Sequence, residues 1–365
     1  MSSDPLLQPY QLRHLTLRNR LMITSHEPAY PEDGMPKERY RAYHVERAKA
    51  GVALTMTAGS ASVARDSPPV FNNILAWKDE VVGWMKQLVD ECHDHGAAVM
   101  IQLTHLGRRT RWDKGDWLPV AAPTMEREPS HRAFPKLIEK WDIERIKSDF
   151  ADAAERMKAA GVDGIDFESF GHLLSQFWSP MSNHLDNEYG GSLANRSRFA
   201  IELIKAVRAA VGPDFPIIFR FSQWKQQDYT ARLVQTPEEL GAFLKPLSDA
   251  GVDIFHCSTR RFWEPEFEGS DLNLAGWTRQ LTGKPTITVG SVGLDGEFLQ
   301  FMVNTDKVAE PASLENLLER LNKQEFDLVA VGRALLVDPD WAVKVRDGRE
   351  SDILPFSREA LKQLV

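Results

Sequence analysis

The strongest constraint on the fold of this chain is a repeated alternation of short apolar runs with amphipathic helical segments. Each run is rich in Val, Ile, Leu or Phe, and polar or glycine-containing residues separate it from the next helical segment. This order is typical of parallel βα units. Eight such runs occur, at 20–25, 52–57, 97–103, 164–167, 216–221, 253–257, 285–289 and 327–331. Because eight parallel strands close a barrel, we predict a single α/β domain over residues 1–365, a (β/α)8 TIM barrel.

The intervening segments have the pattern of helices. Apolar residues recur at helical spacing over 79–95, and Gly96 follows as a stop signal. Segments 141–160 and 236–250 both end in Gly-Val-Asp before the next apolar run, and the glycine permits the left-handed turn that the reversal needs.

A doubly wound open sheet is the alternative fold, since it also alternates strands and helices. It usually carries a G-x-G-x-x-G turn after its first strand. Here the first run leads into Thr24-Ser25-His26-Glu27-Pro28, which contains no glycine. The barrel therefore remains the prediction.

Charge and cysteine content exclude several classes of protein. Lys and Arg number 44 against 52 Asp and Glu, a net charge of −8 without a basic stripe, so we expect no nucleic-acid partner. Two cysteines, Cys92 and Cys257, form no disulfide framework and no zinc or iron–sulfur site, and we predict no metal. The chain shows no export signal and no apolar stretch of about 18 residues. We therefore expect a cytoplasmic protein without a membrane partner; a homodimer stays open.

Parallel strands deliver their last residues to one face of a barrel, and two late strands end in a phosphate-like pattern. Gly290 and Ser291 follow the seventh run, and Gly332 and Arg333 follow the eighth. Glycines let backbone N–H groups approach phosphate oxygens, and arginine adds a charge-assisted bond. Either glycine alone is compatible with a plain turn, but together they predict a phosphate site.

Two polar residues close otherwise apolar strands. Gln102 offers both a donor and an acceptor to the edge of a heterocycle, although a satisfied core amide is the alternative. Arg220 must face the barrel mouth or pair with a carboxylate, because an unpaired buried cation is costly.

Several motifs together resemble the old yellow enzyme family of FMN oxidoreductases, over nearly the whole chain. They are Leu17-Arg18-Asn19-Arg20, Gln102-x-x-His105-x-Gly107-Arg108, Gln176-Phe177-x-Ser179-Pro180, Tyr189-Gly190-Gly191-Ser192-x-x-Asn195-Arg196 and Val331-Gly332-Arg333.

The resemblance implies non-covalent FMN on the barrel face, with NAD(P)H as the reductant. Thr24, Ser25 and Gly59 would line the isoalloxazine, Gln102 would bond its pyrimidine edge, and Arg220 would lie near N1 and O2. The phosphate would fall to Gly290, Ser291, Gly332 and Arg333. A fixed cation near N1 and O2 stabilises the negative charge that reduction brings there.

The departures from the family pattern concern the substrate. Ene-reducing members carry a His-His or His-Asn pair and a Tyr after the fourth strand, whereas this chain has Glu168-Ser169-Phe170-Gly171-His172. Glu27 occupies the place of the Cys or Thr beside the flavin in relatives. These two segments resemble the branch that oxidatively demethylates N-methylated amino acids such as methylproline or stachydrine, and Glu27 or Glu168 could pair with a substrate ammonium.

That branch continues into a further nucleotide-binding region with an iron–sulfur site, whose cysteines this sequence lacks. We therefore expect NAD(P)H or an external acceptor to exchange electrons with FMN directly. The second half, with Phe219-Arg220-Phe221-Ser222 and the 256–265 segment, resembles a stand-alone ene-reductase branch instead. This change suggests a half-barrel chimera with a junction near 196–200.

The predicted function is reduction of FMN by NAD(P)H and hydride transfer to an activated alkene, a quinone or a similar acceptor. Oxidative demethylation of an N-methylated amino acid and a chimeric flavin-binding barrel with little turnover stay open. We predict that His172 and Glu168 transfer a proton or anchor the substrate. His105 and Trp263 are further substrate-binding candidates, with loop support and loop packing as their respective alternatives.

Overall fold

The computed structural model describes residues 4–69, 71–110, 121–128, 134–225, 228–296, 300 and 307–363. Residues 111–120 and 129–133 of the loop predicted between the third strand and its helix lie outside these. No helix in the described ranges is long and apolar enough to cross a membrane.

Eight parallel strands of the described chain close into a barrel, which confirms the predicted fold. Each strand pairs with its neighbours in sequence, and the last strand, β8, pairs with the first, β1. Every predicted apolar run overlaps its strand, and β3 and β6 end one residue beyond their runs. The strands are β1 Leu21–Ile23, β2 Leu54–Met56, β3 Ala98–Thr104, β4 Gly164–Phe167, β5 Ile217–Phe221, β6 Ile254–Ser258, β7 Thr286–Val289 and β8 Leu328–Val331.

Helices surround this barrel and follow the strands in turn. The three helices predicted from sequence are present as α2, α3 and α5. The helices are α1 Glu38–Lys49, α2 Val81–His93, α3 Lys140–Ala159, α4 Leu193–Val211, α5 Pro237–Ala250, α6 Leu274–Thr282, α7 Glu315–Asn322 and α8 Arg333–Val337; shorter helices cover Leu173–Trp178 and Trp341–Arg346.

Aspartates at the starts of even-numbered strands tie the bottom of the barrel together. The carboxylate of Asp163, before β4, accepts from the N–H of Val99 in β3 at 2.6 Å. Asp253, before β6, accepts in the same way from Ile217 of β5 at 2.9 Å. The Gly-Val-Asp pattern of the sequence thus has a structural meaning, since its aspartate accepts a hydrogen bond from an N–H at the start of the neighbouring strand.

The opening Arg18-Asn19-Arg20 motif also belongs to this lower end. Arg18 donates to the carbonyls of Ala48 and Val52 at 2.6 and 2.8 Å, and Asn19 donates to the carbonyl of Gly51 at 2.7 Å. This motif therefore braces the barrel far from the predicted cofactor face.

The barrel interior is apolar below and polar above. Met22, Met100, Ile218 and Ile254 pack together in the lower layer, closed from beneath by the Tyr10–Leu12 and Leu15–Leu17 hairpin. Because side chains alternate along a strand, the residue two positions later faces the same interior one layer higher. That rule places one set of polar side chains in the upper layer: Thr24, Gln102, Asp166, Arg220 and His256.

Candidate active site

The upper interior layer opens at the carboxyl ends of the strands, where the sequence predicted a cofactor. Arg220 lies in this layer, and its side chain is only 15% exposed. It donates from Nη1 to Glu168 Oε2 at 3.1 Å and from Nη2 to Ser258 Oγ at 3.5 Å. The sequence left two alternatives for Arg220, that it faces the barrel mouth or that it pairs with a carboxylate. In the structure it does both.

Glu168 is held on both of its oxygens. Its Oε1 accepts from the N–H of Phe170 at 2.7 Å, while Oε2 binds Arg220. Burial raises the pKa of Glu168, and the positive charge of Arg220 opposes that rise. The carboxyl group is thus fixed in position next to the cation.

Gln102 belongs to a second buried group. Its Nε2 donates to Asp166 Oδ2 at 2.9 Å, and His256 Nδ1 lies 3.3 Å from the same oxygen. All three side chains are at most 2% exposed. Sequence reasoning missed Asp166 and His256, although a charged residue inside the run Ile165-Asp166-Phe167 was a visible signal.

His172 begins the short helix after β4, with Nδ1 2.7 Å from Thr104 Oγ1. Burial lowers the pKa of His172 well below its usual value, and the nearby cations Arg109 and Arg220 lower it further. The imidazole is therefore neutral at pH 7 and binds a proton only weakly.

Glu27 lies beside Gly59, as the two predicted flavin-edge positions require. A Cβ added at Gly59 would stand 2.2 Å from Glu27 Oε2, so this carboxyl group would have to move if residue 59 carried a side chain. Glu27 accepts from the N–H of Ala29 at 2.9 Å and from the amide of Asn73. Burial raises its pKa to about 7, so this group changes charge near neutrality.

The predicted phosphate residues meet at the ends of β7 and β8. Gly290 has φ +135°, and a Cβ there would lie 2.7 Å from the carbonyl oxygen of Thr259. Arg333 Nη2 lies 3.2 Å from Ser291 Oγ, and Gly332 directly precedes it as the N-cap residue of α8. The structure thus brings the two strand ends together, with a guanidinium group and a hydroxyl group side by side.

Two other residues predicted to bind the substrate, His105 and Trp263, contact other residues of the protein. His105 Nε2 lies 3.4 Å from Asp66 Oδ1, and Asp66 in turn binds Arg145 of α3. Trp263 packs against Phe262 with ring centroids 5.1 Å apart, and its carbonyl accepts from Arg320 at 3.0 Å. Their substrate roles stay predictions, and these contacts match the alternatives of loop support and loop packing.

Loops above the strands bring together aromatic and cationic residues that the sequence analysis did not single out. Phe170 meets Trp224 edge to face at 4.3 Å, and Trp224 stacks on Tyr229 at 4.7 Å. Burial lowers the pKa of Arg109. Three neighbours oppose this decrease, namely the carboxylates of Glu128 and Glu168 and the phenol of Tyr229. The loop after β3 thus brings a cation to the carboxylate of β4 and the aromatic row.

The polar upper layer fits a flavin. Thr24 Oγ1 and Arg220 Nε are buried and have no hydrogen-bond partner among the described residues, as expected of groups that bind a ligand. Gln102 and Arg220 provide hydrogen bonds and positive charge for a pyrimidine edge, and Ser291 with Arg333 suits a phosphate.

Known proteins share this architecture. Morphinone reductase bound to tetrahydroNAD has the same fold, with a TM-score of 0.81, 21% identity, and coverage of 98% of this chain and 93% of the other. A protein of Rhizobium meliloti (strain 1021) described as "Probable N-methylproline demethylase" is 67% identical over 97% of this chain and 51% of its own length. A "Multifunctional alkene reductase/demethylase OYE" of Caballeronia cordobensis is 49% identical over 60% of this chain and 33% of its own length.

These similarities bear on two expectations. The Rhizobium relative matches on both sides of residues 196–200, and those residues lie inside the continuous helix α4, so nothing here supports a chimera. The chain spans about half the length, or less, of the first curated relatives it matches. Residues 5–352 match the NADH:flavin oxidoreductase / NADH oxidase family, and the chain belongs to it.

Proposed function

We propose that this chain catalyses the oxidative demethylation of an N-methylated amino acid, with N-methylproline as the first substrate to test. The observation that carries the proposal is the pairing of both signs of charge with aromatic rings at one barrel mouth. A zwitterionic amino acid needs a cation for its carboxylate and an anion or aromatic face for its ammonium. The relative that is 67% identical is described as a probable demethylase of this substrate class.

FMN is the cofactor of this family, and NAD(P)H is the reductant in its reductase members. In a demethylation the electrons come from the substrate, so turnover needs an external electron acceptor instead. Thr24, Gln102 and Arg220 would hold the ring system, and Ser291 and Arg333 would hold the phosphate. When bound, FMN supplies a two-electron acceptor for a hydride. The remaining steps depend on the side chains around the substrate.

The substrate carboxylate is assigned to Arg109. This guanidinium group lies near Glu168 and Tyr229 and 3.8 Å from Glu128 Oε1, and its side chain is 19% exposed, so a substrate carboxylate would bind beside Glu128. The ammonium and its methyl group then face Phe170, Trp224 and Tyr229, and Glu27, after β1, is assigned as the titrating carboxylate that pairs with the ammonium. Cations over aromatic faces are stabilised by about 0.5–2 kcal/mol.

The substrate nitrogen must lose a proton before its methyl carbon gives up hydride. The neutral imidazole of His172 is assigned to accept a hydrogen bond from this N–H at Nε2, with Nδ1 donating to Thr104, and the proton itself leaves to solvent at the barrel mouth. A C–H bond of the methyl group then breaks, the nitrogen lone pair forms a C=N bond, and water adds to the resulting iminium. The products are the demethylated amino acid, formaldehyde and a proton.

Anaerobic mixing of the FMN-loaded chain with N-methylproline tests this proposal. We expect the yellow absorption to bleach and formaldehyde to form in proportion, whereas proline, which has no methyl group to oxidise, causes no bleaching. If N-methylproline leaves the flavin oxidised while NADH or NADPH bleaches it, the demethylase proposal is wrong.

Reduction of activated alkenes by NAD(P)H is a second candidate. The relative from Caballeronia cordobensis is described as both an alkene reductase and a demethylase. Tyr229 places a phenol at the mouth, where it could donate a proton to the alkene. Steady-state NAD(P)H oxidation with maleimide or cyclohexenone as acceptor tests this activity. If the rate of NAD(P)H oxidation is the same with and without the alkene, this activity is excluded.

A further inference from the structure

The Gln102, Asp166 and His256 group is built into the barrel beneath the proposed flavin site. Asp166 and His256 are fully buried, yet Asp166 Oδ1 and His256 Nε2 have no hydrogen-bond partner within the described chain. A buried carboxylate with one bonded and one unbonded oxygen is costly, and such groups in native proteins usually have a function. The proposed reaction makes no use of either side chain.

The contacts decide which way the amide of Gln102 faces. A glutamine amide has two N–H donors and one carbonyl acceptor, and the two ends are interchangeable unless a neighbour distinguishes them. Asp166 accepts only, so it takes one N–H of Gln102 at 2.9 Å. The carbonyl oxygen and the second N–H remain for a ligand.

His256 in turn fixes Asp166. Burial lowers the pKa of His256, although Asp166 opposes this shift, so the ring is neutral and carries one proton. Placed on Nδ1, that proton is donated to Asp166 Oδ2 at 3.3 Å. A chain of contacts therefore runs from β6 through β4 to the amide on β3.

We propose that Asp166, held by His256, is a positioning residue that presents Gln102 to the pyrimidine edge of FMN in one orientation and lowers the reduction potential of the flavin. The inference rests on the flavin site of the proposed function. Arg220, in the same layer, acts in the opposite direction, because a cation favours the negative charge that arrives on reduction and an anion disfavours it.

The reduction potential of bound FMN in Asp166→Asn is the first test. This change keeps the shape but removes the charge, so we expect a positive shift of the midpoint potential. We also expect FMN to bind about fivefold more weakly, because Asn does not distinguish the two ends of the Gln102 amide. Met100→Leu, one layer below on β3, is the matched control and should change neither quantity. An unchanged or more negative potential in Asp166→Asn overturns the proposal.

A double-mutant cycle tests whether Asp166 acts through Gln102. In a Gln102→Met background, Asp166→Asn should change the dissociation constant of FMN by less than about twofold, while the positive shift in potential remains. Additive effects of the two changes on FMN binding would contradict the positioning role.

If Asp166→Asn does not fold, variants at His256 test the same positioning role. His256→Asn retains an N–H donor for Asp166, and His256→Leu does not, so weaker FMN binding is expected only in the leucine variant. Equal effects overturn the role of the donor. A wild-type chain that binds no FMN overturns the proposed function as well, whereas normal FMN binding with unaffected variants overturns this inference alone.

Discussion

The two sides of the barrel mouth are built in different ways. At the ends of β7 and β8 the site is shaped by backbone, since Gly290 adopts φ +135° and leaves no room for a Cβ against Thr259. At the ends of β4 and β5 it is shaped by charged side chains, with Arg220 held between Glu168 and Ser258. We therefore expect added side-chain atoms to destabilise the side at β7 and β8, and an unpaired charge to destabilise the side at β4 and β5.

Removing the cation on the charged side has the largest expected effect. Arg220→Met leaves Glu168, 6% exposed, buried without its partner. We expect the free energy of unfolding in urea to fall by about 4 kcal/mol. The double variant Arg220→Met/Glu168→Gln should regain much of this loss, because no charge is then left unpaired; a single variant as stable as the wild type would contradict the comparison.

On the backbone side, Gly290→Ala is the matching change. The added Cβ would lie 2.7 Å from a carbonyl oxygen, at a φ that only glycine adopts readily, so we expect a loss of about 2 kcal/mol in unfolding free energy. Gly283→Ala is the control, since its φ is +67° with nothing within 4 Å, and should cost about 1 kcal/mol. Equal losses at both positions would show that close packing at Gly290 is unimportant.

The titration of Glu27 predicts how the stability of the protein depends on pH. Its pKa is raised from 4.5 to about 7, so the folded state binds this proton more tightly than the unfolded chain does. The stability from this group is full below pH 4.5 and is lost as pH rises through about 7, a change of about 3 kcal/mol for a shift of this size. Glu27→Gln should remove this part of the pH dependence in urea titrations.

The same titration should appear in turnover. If ionised Glu27 pairs with the substrate ammonium, kcat/KM for N-methylproline rises as pH passes about 7, and Glu27→Gln flattens that limb. An unchanged limb in the variant would assign the titration to another group.

Arg109 gives the smallest expected effect and tests substrate choice. Arg109→Met should raise KM about fivefold for N-methylproline and leave KM unchanged for N-methylpyrrolidine, which has no carboxylate. The comparison of the two substrates separates loss of the carboxylate contact from general damage to the loop. Equal changes for both substrates would remove Arg109 from substrate binding.

The sequence predicted the barrel well because apolar runs and glycine-terminated helices report burial directly. It also predicted that Gln102, Arg220 and Arg333 lie at the carboxyl ends of the strands, because a polar residue in or just after an apolar strand must face the barrel mouth or find a partner. Their roles toward a flavin stay predictions. Phe170, Trp224 and Tyr229 were not predicted to meet, because they lie on different loops whose paths depend on tertiary contacts. His256 was likewise invisible as a partner of Asp166, since their pairing depends on strand register across the barrel.

Binding of FMN to the stripped wild-type chain tests the central claim most directly. We expect a fluorescence-quenching titration to saturate at one FMN per chain and to yield a yellow protein. A folded chain that stays colourless and leaves FMN fluorescence unquenched would contradict the assignment of the polar upper layer as a flavin site.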